Sequence, residues 1–280
     1  MDKLLRRTLT GVFIVIFILG GFWLHPFTFI VVGLVLTVGA LYEYYRLIKN
    51  TGANPQKYAG LFTGVLVYVL SVLISSGIIV SDWYLVLIPV VILILVTELF
   101  RKQERPFDSV AHTLFAVLYV AVPFSMFPFS AFGHSGLEPI IKHGILVFSP
   151  GIVVGFFLLL WTNDSGAYLS GVSFGKHRLM ERISPKKSWE GFAGGFILTL
   201  LVAWFLSGFL GVVDRKGWMI IAVIISVSGT FGDLFESMLK RSTGVKDSGT
   251  ILPGHGGFLD RFDSTIISFP LVYLYIAFFG

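Results

Sequence analysis

The sequence contains no cysteine in 280 residues. Disulfides, thiolate metal sites and cysteine nucleophiles are therefore excluded, and the redox compartment is left open. Charge is scarce as well. Asp, Glu, Lys and Arg make up 13% of the chain, against about 25% in a typical soluble domain. There is no Walker-type glycine loop, no GxSxG elbow and no HExxH helix, so three common catalytic designs have no anchor here. No long linker, low-complexity tract or repeat divides the chain. His25, His112, His134, His143 and His177 stand isolated and receive no assignment.

What is abundant is apolar sequence. Hydrophobic residues make up 55% of the chain, and phenylalanine alone contributes 28. A membrane span needs roughly 20 mostly apolar residues. Nine such runs are expected, at about 9–24, 27–47, 59–80, 83–100, 110–129, 145–161, 192–213, 217–236 and 264–279. The fold class is thus all-α, a polytopic integral membrane protein. Residues 1–144 are expected to form an N-terminal block of about five spans, and residues 145–280 a C-terminal block that carries the candidate catalytic loops 162–191 and 237–263. The basic start (Lys3, Arg6, Arg7) followed by an apolar run lacks a clear small-x-small cleavage site, so it reads as an uncleaved first helix.

The net charge of +5 becomes a topology when its distribution is followed. With nine spans, alternate connections hold 18 of the 21 basic residues, and the opposite side receives only Lys142, Arg215 and Lys216. The positive-inside rule then places the N-terminus in the cytoplasm and the C-terminus outside. It also places the two richest loops, 162–191 and 237–263, on the same cytoplasmic face of a cell (inner) membrane. The abundant aromatic residues are lipid-facing bulk rather than a nucleic-acid stacking platform, and no nucleic acid is expected as a partner.

Residues 237–263 concentrate the chemistry. Seven of these 27 residues are charged (Lys240, Arg241, Lys246, Asp247, Asp260, Arg261, Asp263), and five are glycine. Asp233, Glu236 and Lys240 share one face if helix continues past the eighth span. Asp260 and Asp263 share a face at the start of the ninth. Ionisable groups at membrane depth are costly and usually functional, and converging carboxylates suit Mg²⁺. The same Asp residues could instead cap the last helix and pair with Arg261 or Lys240. The Leu252–Phe258 bend brings His255, Gly256 and Gly257 before a helix N-terminus. That arrangement can cradle phosphate or simply make a tight turn. In 162–191, Asn163-Asp164 ends an apolar run. Lys186 and Lys187 follow Pro185 and are flanked by Ser184 and Ser188, a candidate polyphosphate clamp whose direction a turn would set. Glu43, inside the second span, either supports the site or pairs with Arg46. Glu98 is expected to be solvated.

These residues carry a resemblance. Ser237-Met-Leu-Lys-Arg, Lys246-Asp247 and Leu252-Pro-Gly-His-Gly-Gly-Phe-Leu-Asp-Arg-Phe-Asp263 resemble the signature of phosphatidate cytidylyltransferases (CDP-diacylglycerol synthases) of bacterial type. Asn163 to Tyr168 with Gly171, Gly175 and Lys176 agrees, as does Ser184 to Gly191; Ser188 stands where threonine is more usual. The match covers the C-terminal 120 residues or so. The resemblance implies transfer of CMP from CTP to phosphatidic acid with release of pyrophosphate, dependence on Mg²⁺ with room for a second cation, and a homodimer.

On that reading, Asp233, Asp260 and Asp263 hold the metal. Lys186, Lys187, Lys240, Arg241 and Lys246 neutralise phosphates, and Asp247 and Asp164 add ligands or orient those cations. Ser184, Ser188, Ser237, His255, Gly256, Gly257, Arg261 and Asn163 complete the phosphate-binding set. CTP enters from the cytosol and the lipid from the inner leaflet. A CTP-dependent lipid kinase or a cytidylyltransferase for another lipid would use similar residues. A secondary transporter would instead need broken helices near the midplane, and a structural membrane subunit would not need the acidic pairs.

Overall fold

The computed structural model describes residues 3–132, 141–142, 145–245, 248–249 and 256–279. Ten α-helices account for nearly all of it: α1 (Lys3–Leu24), α2 (Pro26–Ile48), α3 (Lys57–Ser75), α4 (Leu87–Phe100), α5 (Pro106–Ala116), α6 (Val122–Phe132), α7 (Gly151–Phe174), α8 (Trp189–Leu206), α9 (Arg215–Ser242) and α10 (Leu259–Phe279). A π-helical turn at Val117–Ala121 joins α5 to α6 into one rod. It lies just before Pro123, which lacks the N–H that a regular helix would use there. Two 3-10 turns (Lys49–Thr51 and Ser81–Val86) and two short antiparallel pairs complete the described elements: β1 (Ile141–Lys142) with β2 (Ile145–Leu146), and β3 (Arg178–Met180) with β4 (Ser184–Ser188).

Among the described residues, eight helical segments are long and apolar enough to cross a membrane. The apolar part of α1, Thr10–Leu24, is shorter. Eight of the nine expected spans thus have a helix of crossing length, and the first has the shorter one. The segment Ser81–Phe100 presents most of its surface outward, whereas Pro106–Phe132 is largely enclosed. Large apolar side chains such as Phe13, Leu99, Phe107 and Phe205 project from the bundle, as a lipid-facing surface requires.

Apolar surface gains little by leaving lipid, so packing in a bilayer depends on close contact. Two devices supply it here. A cluster of buried rings joins α1, α2, α6, α7 and α10; Phe127 meets Phe269 edge-on at 4.3 Å, and Phe22 stacks on Phe157 at 5.7 Å. The second device is small residues. Gly166 on α7 faces Gly195 on α8 so closely that a β-carbon on Gly166 would stand 3.0 Å from the Gly195 Cα. At Gly232 on α9, a β-carbon would stand 2.8 Å from the Asp263 carbonyl and the Ser264 Cα of α10. The Ser264 hydroxyl donates to the Gly229 carbonyl at 3.0 Å across the same seam.

Two boundaries differ from expectation. The apolar run starting near 145 was expected to end at 161, with 162–191 as a loop. Helix α7 instead continues to Phe174. Asn163 and Asp164 therefore lie within a helix, and Gly166 just beyond them packs closely on α8. The rest of that stretch is the β3–β4 hairpin and the first turn of α8. Likewise α9 runs to Ser242, beyond the expected 236.

Candidate active site

The first part of the site is a cavity of about 470 Å³ between α7, the β3–β4 hairpin, α8 and α9. Asn163, Asp164, Lys186, Lys187, Ser188 and Asp233 line it, together with Arg178 and Tyr168. Lys186 and Lys187 sit on strand β4 rather than on the turn expected after Pro185. Strand β4 lies antiparallel to β3, with Arg178 opposite Ser188. Ser188 then caps α8 by accepting from the Gly191 N–H at 3.1 Å, as short hydroxyl side chains do at helix starts. Glu190 braces the hairpin: its carboxylate accepts from the backbone N–H groups of Lys176 and His177, and the His177 Nδ1 stands 2.6 Å from it. The two lysines are thus held by a short strand fixed at both ends.

From this strand Lys187 reaches Asp233 on α9, with Nζ 2.7 Å from Oδ2. Its second contact is the Thr230 carbonyl at 3.4 Å. Ser237, one turn on, donates to Asp233 Oδ1 at 3.2 Å. Lys186 is exposed on the cavity wall. Asn163 is buried, and its Oδ1 has no hydrogen-bond partner among the described residues. Asp164 feels the charges of Asp233, Lys187 and Arg261.

The second part begins one helical turn further along α9. Glu236, fully buried, pairs with Lys240 at i, i+4. Lys240 also donates to Asp260 Oδ1 on α10 at 2.6 Å. Asp260 accepts the backbone N–H of Gly257 at 2.8 Å and of Ser248 at 3.0 Å. Gly256 adopts φ of 81°, which favours glycine. Asp260 thus sits in the first turn of α10 and pairs with Lys240, as the ion-pair half of the alternative reading expected. Asp263 lies where α9 and α10 touch at Gly232. Its carboxylate accepts the Ser264 N–H at 2.6 Å and faces the charges of Asp233, Asp164 and Lys240.

The predicted face Asp233–Glu236–Lys240 is therefore real, and residues from both polar stretches meet. Arg241 is exposed, off that face by one helical position. Ser184 opens β4 opposite Met180, and Arg261 is exposed near Asp164. Lys246, Asp247 and His255 lie outside the described residues. Arg178 and Ser248 were not assigned to the site beforehand, whereas Glu236 was expected on the Asp233–Lys240 face without a role of its own. The Glu43 carboxylate meets the chain around Asp260 in place of the expected Arg46: it accepts from Ser248 Oγ at 3.1 Å and from the Leu259 N–H at 2.8 Å. Glu98 is buried rather than solvated, because Arg101 at 2.8 Å and Gln56 at 2.7 Å enclose it.

Among the described residues, no three acidic or histidine side chains form a ready metal cage. The donor set is nonetheless all hard oxygen. Mg²⁺ commonly takes only one or two carboxylates, with water and substrate phosphate completing its shell. Asp233, Asp260 and Asp263 fit that chemistry.

Comparison with known proteins shows the family. The profile described as the Cytidylyltransferase family matches residues 5–279. A phosphatidate cytidylyltransferase of Staphylococcus haemolyticus is 34% identical over 274 residues, spanning 95% of this chain and 96% of the relative. One from Staphylococcus epidermidis is 32% identical over 278 residues, with 95% and 96% covered. One from Bacillus subtilis is 37% identical over 191 residues, with 68% and 66% covered. The chain belongs to the cytidylyltransferase family.

Proposed function

We propose that this chain transfers CMP from CTP to phosphatidic acid, giving CDP-diacylglycerol and pyrophosphate. The observation that carries the reading is the Lys187–Asp233 pair at 2.7 Å, in a cavity that Asn163, Asp164, Lys186 and Ser188 also line. The family membership and the names of the relatives support the same reaction.

The lipid phosphate is already an oxyanion, so the nucleophile needs little help from a base. Its oxygen attacks the α-phosphorus of CTP, the bond from that phosphorus to the β-phosphate oxygen breaks, and pyrophosphate leaves with the electron pair. The obstacle is the repulsion between two polyanions, which positioning and electrostatics address. Lys187 and Lys240 are held ready as ion pairs with Asp233 and Asp260; arriving phosphates would share them. Lys186, exposed on the cavity wall, meets the polyphosphate directly. Asp233, Asp260 and Asp263 would hold Mg²⁺, which when bound neutralises phosphate charge and favours departure of pyrophosphate.

The excess of basic residues on one set of connections supports a site facing the cytoplasm, with the lipid entering from the inner leaflet of the cell membrane. The family resemblance supports a homodimer. The test is a detergent assay of the purified chain with CTP and phosphatidic acid, with and without Mg²⁺. Mg²⁺-dependent appearance of a lipid carrying the mass of CMP, with one pyrophosphate per lipid, is expected. Free CDP with a newly phosphorylated lipid would mark a kinase and overturn the reading.

A further inference from the structure

Glu43 lies on α2, in the N-terminal half, and is fully buried. A buried carboxylate is costly unless donors surround it. Here the donors come from two strands of chain that flank Asp260. Ser248 Oγ donates to Glu43 Oε2 at 3.1 Å, and the Leu259 N–H donates to the same oxygen at 2.8 Å. The approach on both sides is too close for any side chain. A β-carbon on Gly257 would stand 2.6 Å from Glu43 Oε2, and one on Gly249 would collide with Oε1. One turn earlier on the same face of α2, a β-carbon on Gly39 would stand 2.9 Å from the Phe258 ring. So α2 offers a seat for residues 257–259 and a carboxylate that ties them to residues 248–249.

Asp260 is the next residue after Leu259. Its own acceptor bonds reach the same two places, Ser248 N–H and Gly257 N–H. Both carboxylates therefore tie Ser248 to the residues that open α10, and Asp260 goes on to Lys240 and the site.

We infer that Glu43 is a positioning residue: by joining Ser248 to the start of α10 it sets where Asp260 stands relative to Lys240 and to any cation held there. The inference rests on the proposed CMP-transfer reading for its kinetic part alone. Outer partners that orient charged ligands typically matter by about 10- to 100-fold when removed. The negative carboxylate also suits the positive N-terminal end of α10.

Glu43→Gln keeps shape but places an amide where two donors converge. Ser248→Ala removes one tie and leaves Glu43 in place. Both variants are compared with the unaltered chain in detergent by hydrogen–deuterium exchange over residues 248–262 and by CMP-transfer kinetics at varied Mg²⁺. E43Q is expected to raise exchange in that stretch alone, lower kcat about 10- to 100-fold and raise the half-saturating Mg²⁺ concentration, with KM for CTP changing far less. S248A is expected to move the same quantities in the same direction by a smaller factor. Wild-type kcat and Mg²⁺ dependence in a folded E43Q overturn the inference. If E43Q does not fold, S248A decides: unaltered exchange and Mg²⁺ dependence in that variant overturn it. An unaltered chain that forms no CMP-lipid refutes the reaction instead, while the exchange measurement still judges the tie.

Discussion

Lys187 on strand β4 and Asp233 on helix α9 stand 2.7 Å apart, 46 residues apart in sequence. That contact closes a cavity wall, and it holds a cation and a carboxylate at the same point. Both side chains are partly exposed, and exposed pairs contribute only about 0–1 kcal/mol to stability. The pair is better explained by what it offers an arriving polyanion.

Replacing Lys187 with methionine should therefore leave the unfolding temperature in detergent nearly unchanged while lowering kcat/KM for CTP by about 100-fold or more. Combining it with Asp233→Asn should cost less than the two single effects together, because members of one charged network are not additive. Steady-state kinetics of the three variants checks both points.

Asp260→Asn keeps the side chain's shape and removes its charge. Lys240 loses its partner at 2.6 Å, and the two backbone N–H groups face a weaker acceptor. Turnover is expected to fall about 100-fold or more, with the protein still eluting as a folded species. Normal Mg²⁺-dependent turnover in this variant would contradict the metal assignment.

Gly195→Leu tests the packing that carries α7 past Asn163. The added side chain would meet the Asn163 carbonyl and the Ala167 side chain within about van der Waals distance or closer. Overpacking of this kind typically costs about 1–3 kcal/mol. A lower unfolding temperature is expected, with a distorted cavity and reduced turnover. An unchanged unfolding temperature would show that the seam is loose.

Chelation supplies a further check. EDTA should abolish CMP transfer, and added Mg²⁺ should restore it in full. Activity that survives exhaustive chelation would remove the metal from the account.

The helical bundle was legible because apolar runs of span length leave few alternatives. The Asp233–Glu236–Lys240 face was legible too, since i, i+3 and i, i+4 spacing needs only that the helix continue. The end of α7 was not. Polar Thr162, Asn163 and Asp164 signal a stop, and the close approach of Gly166 to Gly195 on α8, which accompanies the continued helix, is a tertiary contact that no local pattern shows. Glu43 showed itself as an acid inside an apolar run, but its partners lie more than 200 residues away in sequence. No local pattern could name them. Lys186 and Lys187 were recognised as phosphate-binding candidates, yet their strand depends on pairing with Arg178–Met180 rather than on Pro185.

The most direct measurement is the fate of label from CTP carrying ³²P at the α or the γ position, incubated with phosphatidic acid and the purified chain, beside its Asp233→Asn variant. The account predicts that α-label enters the lipid extract, that γ-label appears in pyrophosphate, and that the variant does neither. γ-Label in the lipid, or undiminished α-label transfer by the variant, would contradict it.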